Sequence, residues 1–223
     1  MKLTLEQISK IEETLVLNGI QYEDIKLELT DHIASEIEEQ IMVQGYSFEV
    51  ALHDVFQNWK EQLRPTSSHW VGLINSSPKI VLDKWVRTTK QLQLKALLIA
   101  LFPTLFFAYF FNGKQNKFDY TLLVQIFKTM CLAISLSIII FKFLIFKSNI
   151  KTSFSLYFNK NSTVFFIYLF FYGLGFIPIK LSIWDYGTSL FFILLLSFLL
   201  VYSIFCLKLA YQHLQFVKKL KLS

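Results

Sequence analysis

Cysteine is nearly missing from this chain, and the two that occur, Cys131 and Cys206, both lie inside apolar runs. Neither a disulfide framework nor a structural zinc site is indicated, so both are expected to act as packing residues. Acidic residues are scarce in one part only. Residues 1–64 carry 13 Asp and Glu against 5 Lys and Arg, whereas residues 65–223 carry 3 against 17. The formal net charge of +6 therefore hides an acidic amino-terminal part at −8 and a basic remainder at +14. An acidic soluble part disfavours binding to a phosphate backbone, so no nucleic-acid partner is expected. The motifs of common enzymes are missing too: there is no GxSxG, GxGxxG, Walker loop or HExxH. The one Gly-rich fragment, Tyr172-Gly-Leu-Gly175, sits within an apolar stretch, where small residues suit close helix packing better than a phosphate. No catalytic residue, metal or cofactor is expected, and the chain reads as a non-enzyme. No basic start followed by an apolar run and a small-residue cleavage site opens the sequence. The amino-terminal part is therefore expected to stay in the cytoplasm.

What is present in excess is apolar surface. A hydrophobic content of 54% with 24 Phe is too high for a typical soluble protein. Four segments are long enough to cross a bilayer as helices: Leu94 to Phe111, Tyr120 to Phe141, Thr163 to Ile183 and Ser189 to Leu207. The alternation of barrel strands is absent, which leaves helices as the way to satisfy the backbone in lipid. Lys and Arg near the helix ends set the orientation. Thirteen fall on one side: Lys79, Lys84, Arg87, Lys90 and Lys95 before the first span, Lys142, Lys147, Lys151 and Lys160 between the second and third, and Lys208, Lys218, Lys219 and Lys221 after the fourth. Only Lys114, Lys117 and Lys180 fall on the other. The positive-inside rule then puts both termini in the cytoplasm, as in a multi-pass protein of a bacterial inner membrane. The outer connections, 112–119 and 185–188, are short, so the first and second spans, and the third and fourth, should pair as hairpins.

The expected fold class is all-α: a small acidic cytoplasmic three-helix domain over 1–64, a linker and basic juxtamembrane helix over 65–93, and a four-helix transmembrane domain with a cytoplasmic tail over 94–223. Arg64-Pro-Thr-Ser-Ser-His69 and Asn75-Ser-Ser-Pro78 carry the turn residues of a linker. The following KIVLDKWVRTTKQLQLK mixes apolar residues with cations. It suits an interfacial helix, with Lys79, Lys84, Trp85, Arg87 and Lys90 at the headgroups, or a soluble connector with a solvated charged face. Within 1–64, Thr4 and Gln7 fit a capping box ahead of a helix over Leu5 to Leu17, and Asn18-Gly19 stops it. A second helix, Tyr22 to Val43, presents Ile25, Leu29, Ile33, Ile37 and Ile41 and ends at Gly45. A third begins at Ser47 and repeats Phe48, Ala51, Leu52, Val55, Phe56, Trp59 and Leu63 at helical spacing.

Glu28, Asp31, His32 and Glu36, then Gly45, Ser47, Glu49 and Ala51, resemble the pattern of HAAS-like helical domains that precede membrane segments in bacterial proteins. The resemblance covers about residues 4–63, with Asn58-Trp59-Lys60 where a Gly-Asp-Pro is common. Such domains accompany permease-like segments or PadR-type regulators, which implies a regulatory or interaction role. From the residues alone, His32 and Glu36 share a helix face, while Asp31 is turned away by about 100°. The triplet offers at most half a metal site, which His53-Asp54 could in principle approach, and His32 is better read as a hydrogen-bonded packing residue beside a carboxylate. Asp31, His32 and Glu36 remain a candidate interaction face. In the second span, Lys128 is a costly residue at about 2.5 to 3.5 kcal/mol for a mid-helix position. With Gln125, Tyr168, Tyr172 and Asp185 it forms a candidate intramembrane polar site, against the alternative that it snorkels to the headgroups. The expected partners are the lipid bilayer and a cytoplasmic or membrane protein, with self-association left open. A small transporter or permease-like subunit is the rival reading.

Overall fold

The computed structural model describes residues 2–69, 72–111, 120–177 and 186–222. In chain order it contains helices α1 (Leu5–Leu17), α2 (Glu23–Gln44) and α3 (Phe48–Leu63), strands β1 (Pro65–Ser68) and β2 (Gly72–Pro78), then α4 (Lys79–Phe111), α5 (Tyr120–Ser148), α6 (Ser153–Gly173) and α7 (Tyr186–Leu220). The chain divides into two compact units, Met1–Thr88 with Ile150–Ser153, and Thr89–Asn149 with Phe154–Ser223.

In the first unit the helix ends follow local chemistry. The Gln7 amide donates to the Thr4 hydroxyl at 3.3 Å and Gln7 Oε1 accepts from the Thr4 amide at 2.8 Å, so two free donors at the start of α1 are satisfied reciprocally. At its other end Gly19 adopts φ +88°, its amide reaching the Val16 carbonyl while the Ile20 amide reaches that of Leu15. This is a Schellman turn, and Leu15 and Ile20 are both buried beside it. Gly45, at φ +67°, stops α2 in the same left-handed region. Ile11 and Leu15 of α1, Ile25, Leu29, Ile33 and Ile37 of α2, and Ala51, Leu52, Val55 and Leu63 of α3 are buried. Ser47 precedes α3 as expected, but its side chain makes no capping bond.

Two features differ from the sequence reading. The stretch read as a linker folds into an antiparallel hairpin, Pro65 opposite Pro78, and the Lys79 amide donates to the Arg64 carbonyl at its base. Proline has no amide to give the ladder, and both prolines sit at the strand ends. The basic helix that follows does not offer its apolar face to the headgroups: Val81, Leu82 and Trp85 are buried in the protein. Lys79, Lys84, Arg87 and Lys90 remain exposed, and α4 runs on without a break to Phe111.

In the second unit, α5 and α6 are antiparallel. The Lys142 ammonium donates to the Thr163 hydroxyl at 2.8 Å, and ten residues back along α5, Leu132 lies against Gly173. A Cβ on Gly173 would fall 2.7 Å from Leu132 Cγ, so only glycine permits this approach. By contrast α5 and α7 run parallel. Cys131 shares a buried cluster with Leu196, Leu199 and Leu200, and seventeen residues further along each helix Ser148 Oγ lies 3.0 Å from His213 Nε2. Among the described residues three helices are long and apolar enough to cross a membrane: Lys79–Tyr109, Thr121–Ser148 and Ser189–Leu220. Of these, α7 is the most buried.

The expected third span, Thr163 to Ile183, is corrected. The helix starts at Ser153, holds Asn159, Lys160 and Asn161 in its first half, and stops at Gly173. Gly175, at φ +85°, donates to the Tyr172 carbonyl and Phe176 donates to that of Phe171, a second Schellman turn. The Phe171 and Phe176 rings meet edge to face at 5.9 Å across it. Residues 178–183 of the expected span lie outside the described residues.

Burial of Val81, Leu82 and Trp85 implies that a fragment of residues 1–88 should melt more cooperatively and at higher denaturant than residues 1–64. Trp85→Ala should cost the longer fragment about 3 kcal/mol. Circular dichroism during urea unfolding checks both, and equal midpoints for the two fragments would count against this packing.

Candidate functional site

On α2 the structure separates the three residues of the candidate interaction face. Asp31 and His32 are exposed, whereas Glu36 is half-buried and accepts from the Trp59 indole N–H at 2.9 Å. Glu36 is thus engaged in joining α2 to α3, and His32 is not the packing residue expected for it. His53, on α3, lies 3.4 Å from its neighbour Asp54. Among the described residues no three His, Cys, Asp or Glu side chains converge as a metal would need. The exposed surface of α2 that remains carries Glu28, Asp31, His32, Ser35 and Glu39, with Glu28 paired to Lys84 at 2.6 Å. Separately, α1 and α3 line a groove of about 440 Å³ whose walls include Thr14, Glu49, His53 and Phe56.

A more specific arrangement lies at the start of α2. The Asp24 carboxylate accepts the Ser153 amide at 2.7 Å and also the Ser153 hydroxyl. One residue away, the Glu23 amide donates to the Lys151 carbonyl at 2.9 Å, and the Lys151 ammonium reaches Gln21 Oε1 at 3.5 Å. Thr152 and Ser153 are both fully buried. The first turn of α2 thereby holds Lys151 and Ser153, where the connection from α5 enters α6. Ser153 opens α6, where backbone amides have no helical acceptor, so a carboxylate there supplies both a hydrogen bond and a favourable charge. Burial, and then the nearby Asp24 charge, push the Tyr22 phenol above its ordinary value. Its neutral form thus favours the folded state, a contribution complete below the ordinary phenol value of about 10 and lost as the pH rises above it.

The candidate intramembrane polar site is only partly assembled. Tyr172 is buried in the cluster with Cys131, Leu169 and Leu196, Tyr168 packs half-buried against that cluster, and Gln125 is exposed. Lys128 is half-buried, and its Nζ lies 3.5 Å from where a Cβ on Gly175 would stand. It is therefore neither fully inside nor free in the lipid-facing direction. Asp185 lies outside the described residues. Of the residues expected at the interface, Lys84 is held by Glu28 and Trp85 is buried, while Lys79, Arg87 and Lys90 are exposed.

Comparison with known proteins gives no family, no characterised protein and no solved structure that matches the chain. The sequence reading missed Asp24 and Ser153, which are 129 residues apart and carry no local motif. It also missed the Glu36 to Trp59 bond, although Trp59 on the apolar stripe of α3 needs a partner for its indole when buried.

Asp24→Ala should cost about 1 kcal/mol, the usual loss of a helix cap, and speed amide exchange at Ser153. Asp24→Asn keeps an acceptor and should retain part of the protection. Hydrogen exchange read by mass spectrometry on the full chain checks this, and unchanged exchange in Asp24→Ala would remove Asp24 from the capping role.

Proposed function

We propose that this is a non-enzymatic integral membrane protein of a bacterial inner membrane whose cytoplasmic amino-terminal unit binds another protein and couples it to four membrane-crossing helices. One observation carries the reading: the unit that bears the exposed α2 face also holds Lys151, Thr152 and Ser153, the link between two of the apolar helices. Docking on that unit would then bear on the membrane region. The resemblance of residues 4–63 to HAAS-like domains supports a regulatory or interaction role.

A crossing by α6 is supported by direction, although its composition alone does not qualify it. Because α5 and α7 run parallel, the chain must return between them, and α6 runs the opposite way. Its 21 residues reach about 31 Å, with Asn159, Lys160 and Asn161 toward the cytoplasmic end and the apolar residues beyond them. The thirteen-to-three distribution of Lys and Arg supports cytoplasmic placement of both termini and of the connection at 150–153.

A second reading, a small transporter or permease-like subunit, draws on Ser162 and Ser203. Both hydroxyls are buried and have no hydrogen-bond partner among the described residues. Polar groups left open in a bundle are what a solute path requires.

Reporter fusions at Ser223 and near Asn116 should report opposite compartments, and the same compartment for both would overturn the four-crossing topology. Mild-detergent purification of the full chain should yield a stoichiometric protein partner whose retention falls with Asp31→Lys. Flux of solute in liposomes without any partner would instead favour the transport reading.

A further inference from the structure

The outward end of α6 combines an apolar groove with a cation. The groove, of about 480 Å³, is walled entirely by apolar surface from Val164, Ile167, Tyr168, Phe171, Phe176 and Ile177. It follows two turns of α6 and reaches the Gly175 turn, where Phe176 meets Phe171. Lys128 stands next to the Gly175 turn that precedes Phe176: its Nζ lies 3.5 Å from the position a Gly175 Cβ would take.

An ammonium here needs an anion. Among the described residues Lys128 makes neither an ion pair nor a hydrogen bond. The end of α6 does little to fill the gap, because the carbonyls of Phe170, Phe171 and Tyr172 already accept the amides of Leu174, Phe176 and Gly175. Helical side chains lean toward the helix amino terminus, so Lys128 leans toward the start of α5 and the outer headgroups. A cation at headgroup reach beside an apolar channel matches one chemical class, a lipid with a negatively charged phosphate head and an acyl chain.

We propose that this end of α6 is a binding site for an anionic phospholipid, with one acyl chain in the groove and the phosphate on Lys128. Free phosphate lacks the tail that the groove would take. The proposal rests on the reading that α6 crosses the membrane.

The test uses the full chain in nanodiscs of mixed phosphatidylglycerol and phosphatidylcholine, with retained lipids counted by native mass spectrometry. Wild type should retain the anionic lipid about fivefold over the zwitterionic one, Lys128→Gln should fall to near parity, and Lys128→Arg should keep the preference. Ile167→Trp, which fills the groove and leaves the cation, should reduce retention of both lipids. No preference in wild type, or a preference that survives Lys128→Gln, would overturn the proposal. Labelling of Ile167→Cys separates the two levels. Reaction with a water-soluble maleimide in the nanodisc would defeat the membrane crossing itself, whereas a protected Ile167→Cys without lipid preference would defeat the lipid site alone.

Discussion

The parallel packing of α5 against α7 constrains most of the second unit. The seam runs from an apolar cluster, Cys131 with Leu196, Leu199 and Leu200, to a polar contact of Ser148 with His213 at the far end. Parallel neighbours cannot be joined by a tight turn, so the intervening chain must travel back the full distance. That duty falls on α6. Its start must lie where α5 finishes, and its end must be closed inside apolar surroundings, where an unsatisfied carbonyl is expensive. Gly173 and Gly175 answer separate parts of this demand, the first by allowing backbone contact with Leu132 and the second by the left-handed turn that satisfies the last carbonyls.

The same constraint fixes the connection at the other end. Only four residues, Asn149 to Thr152, separate α5 from α6, and Asn149 takes φ +55° to reverse the chain. The first amides of α6, as of any helix, have no acceptor within the helix. Asp24 supplies one from a distant part of the sequence, and the Glu23 amide takes up the Lys151 carbonyl. The connection is thus folded as part of the first unit, although it lies in sequence between two helices of the second.

How much of this was legible depended on the range of the interaction. The limits of α1 were readable because the Thr4 and Gln7 box and the Gly19 stop act within a few residues. The stripe of Ile25, Leu29, Ile33 and Ile37 was readable because burial repeats with the helix. The hairpin was not, since Thr66 and Ser77 pair through backbone groups that residue type does not reveal. Periodicity showed that Val81, Leu82 and Trp85 share a face but could not tell whether protein or headgroups cover it. Hydropathy likewise saw one apolar run from Thr163 to Ile183, because the Gly175 turn that ends the helix is itself flanked by Leu, Phe and Ile. Of the candidate sites, the polar face of α2 includes exposed Asp31, but His32, read as a packing residue, is exposed too, and Glu36 is engaged by a partner 23 residues away, which helical spacing alone does not reveal.

On the proposed reading, α2 is the element through which docking would reach the membrane helices. Its first turn carries Asp24, which holds Ser153, and its exposed face carries Asp31 two turns further on, about 10 Å along the axis. Between them Ile25 and Leu29 are buried and Glu28 is tied to Lys84 of α4. A helix fixed at both of these points can pass a displacement along its axis with little loss, because close-packed interiors yield poorly. Coupling of this kind requires two arrangements of the 150–153 connection that differ in their bonds to Asp24 and Glu23. The bonds of Ser153 to Asp24 and of the Lys151 carbonyl to Glu23 are polar, and losing the former removes a cap from α6, so the held and released states differ by a cost on the scale of a helix cap. A partner with that much differential affinity would be sufficient to shift the balance.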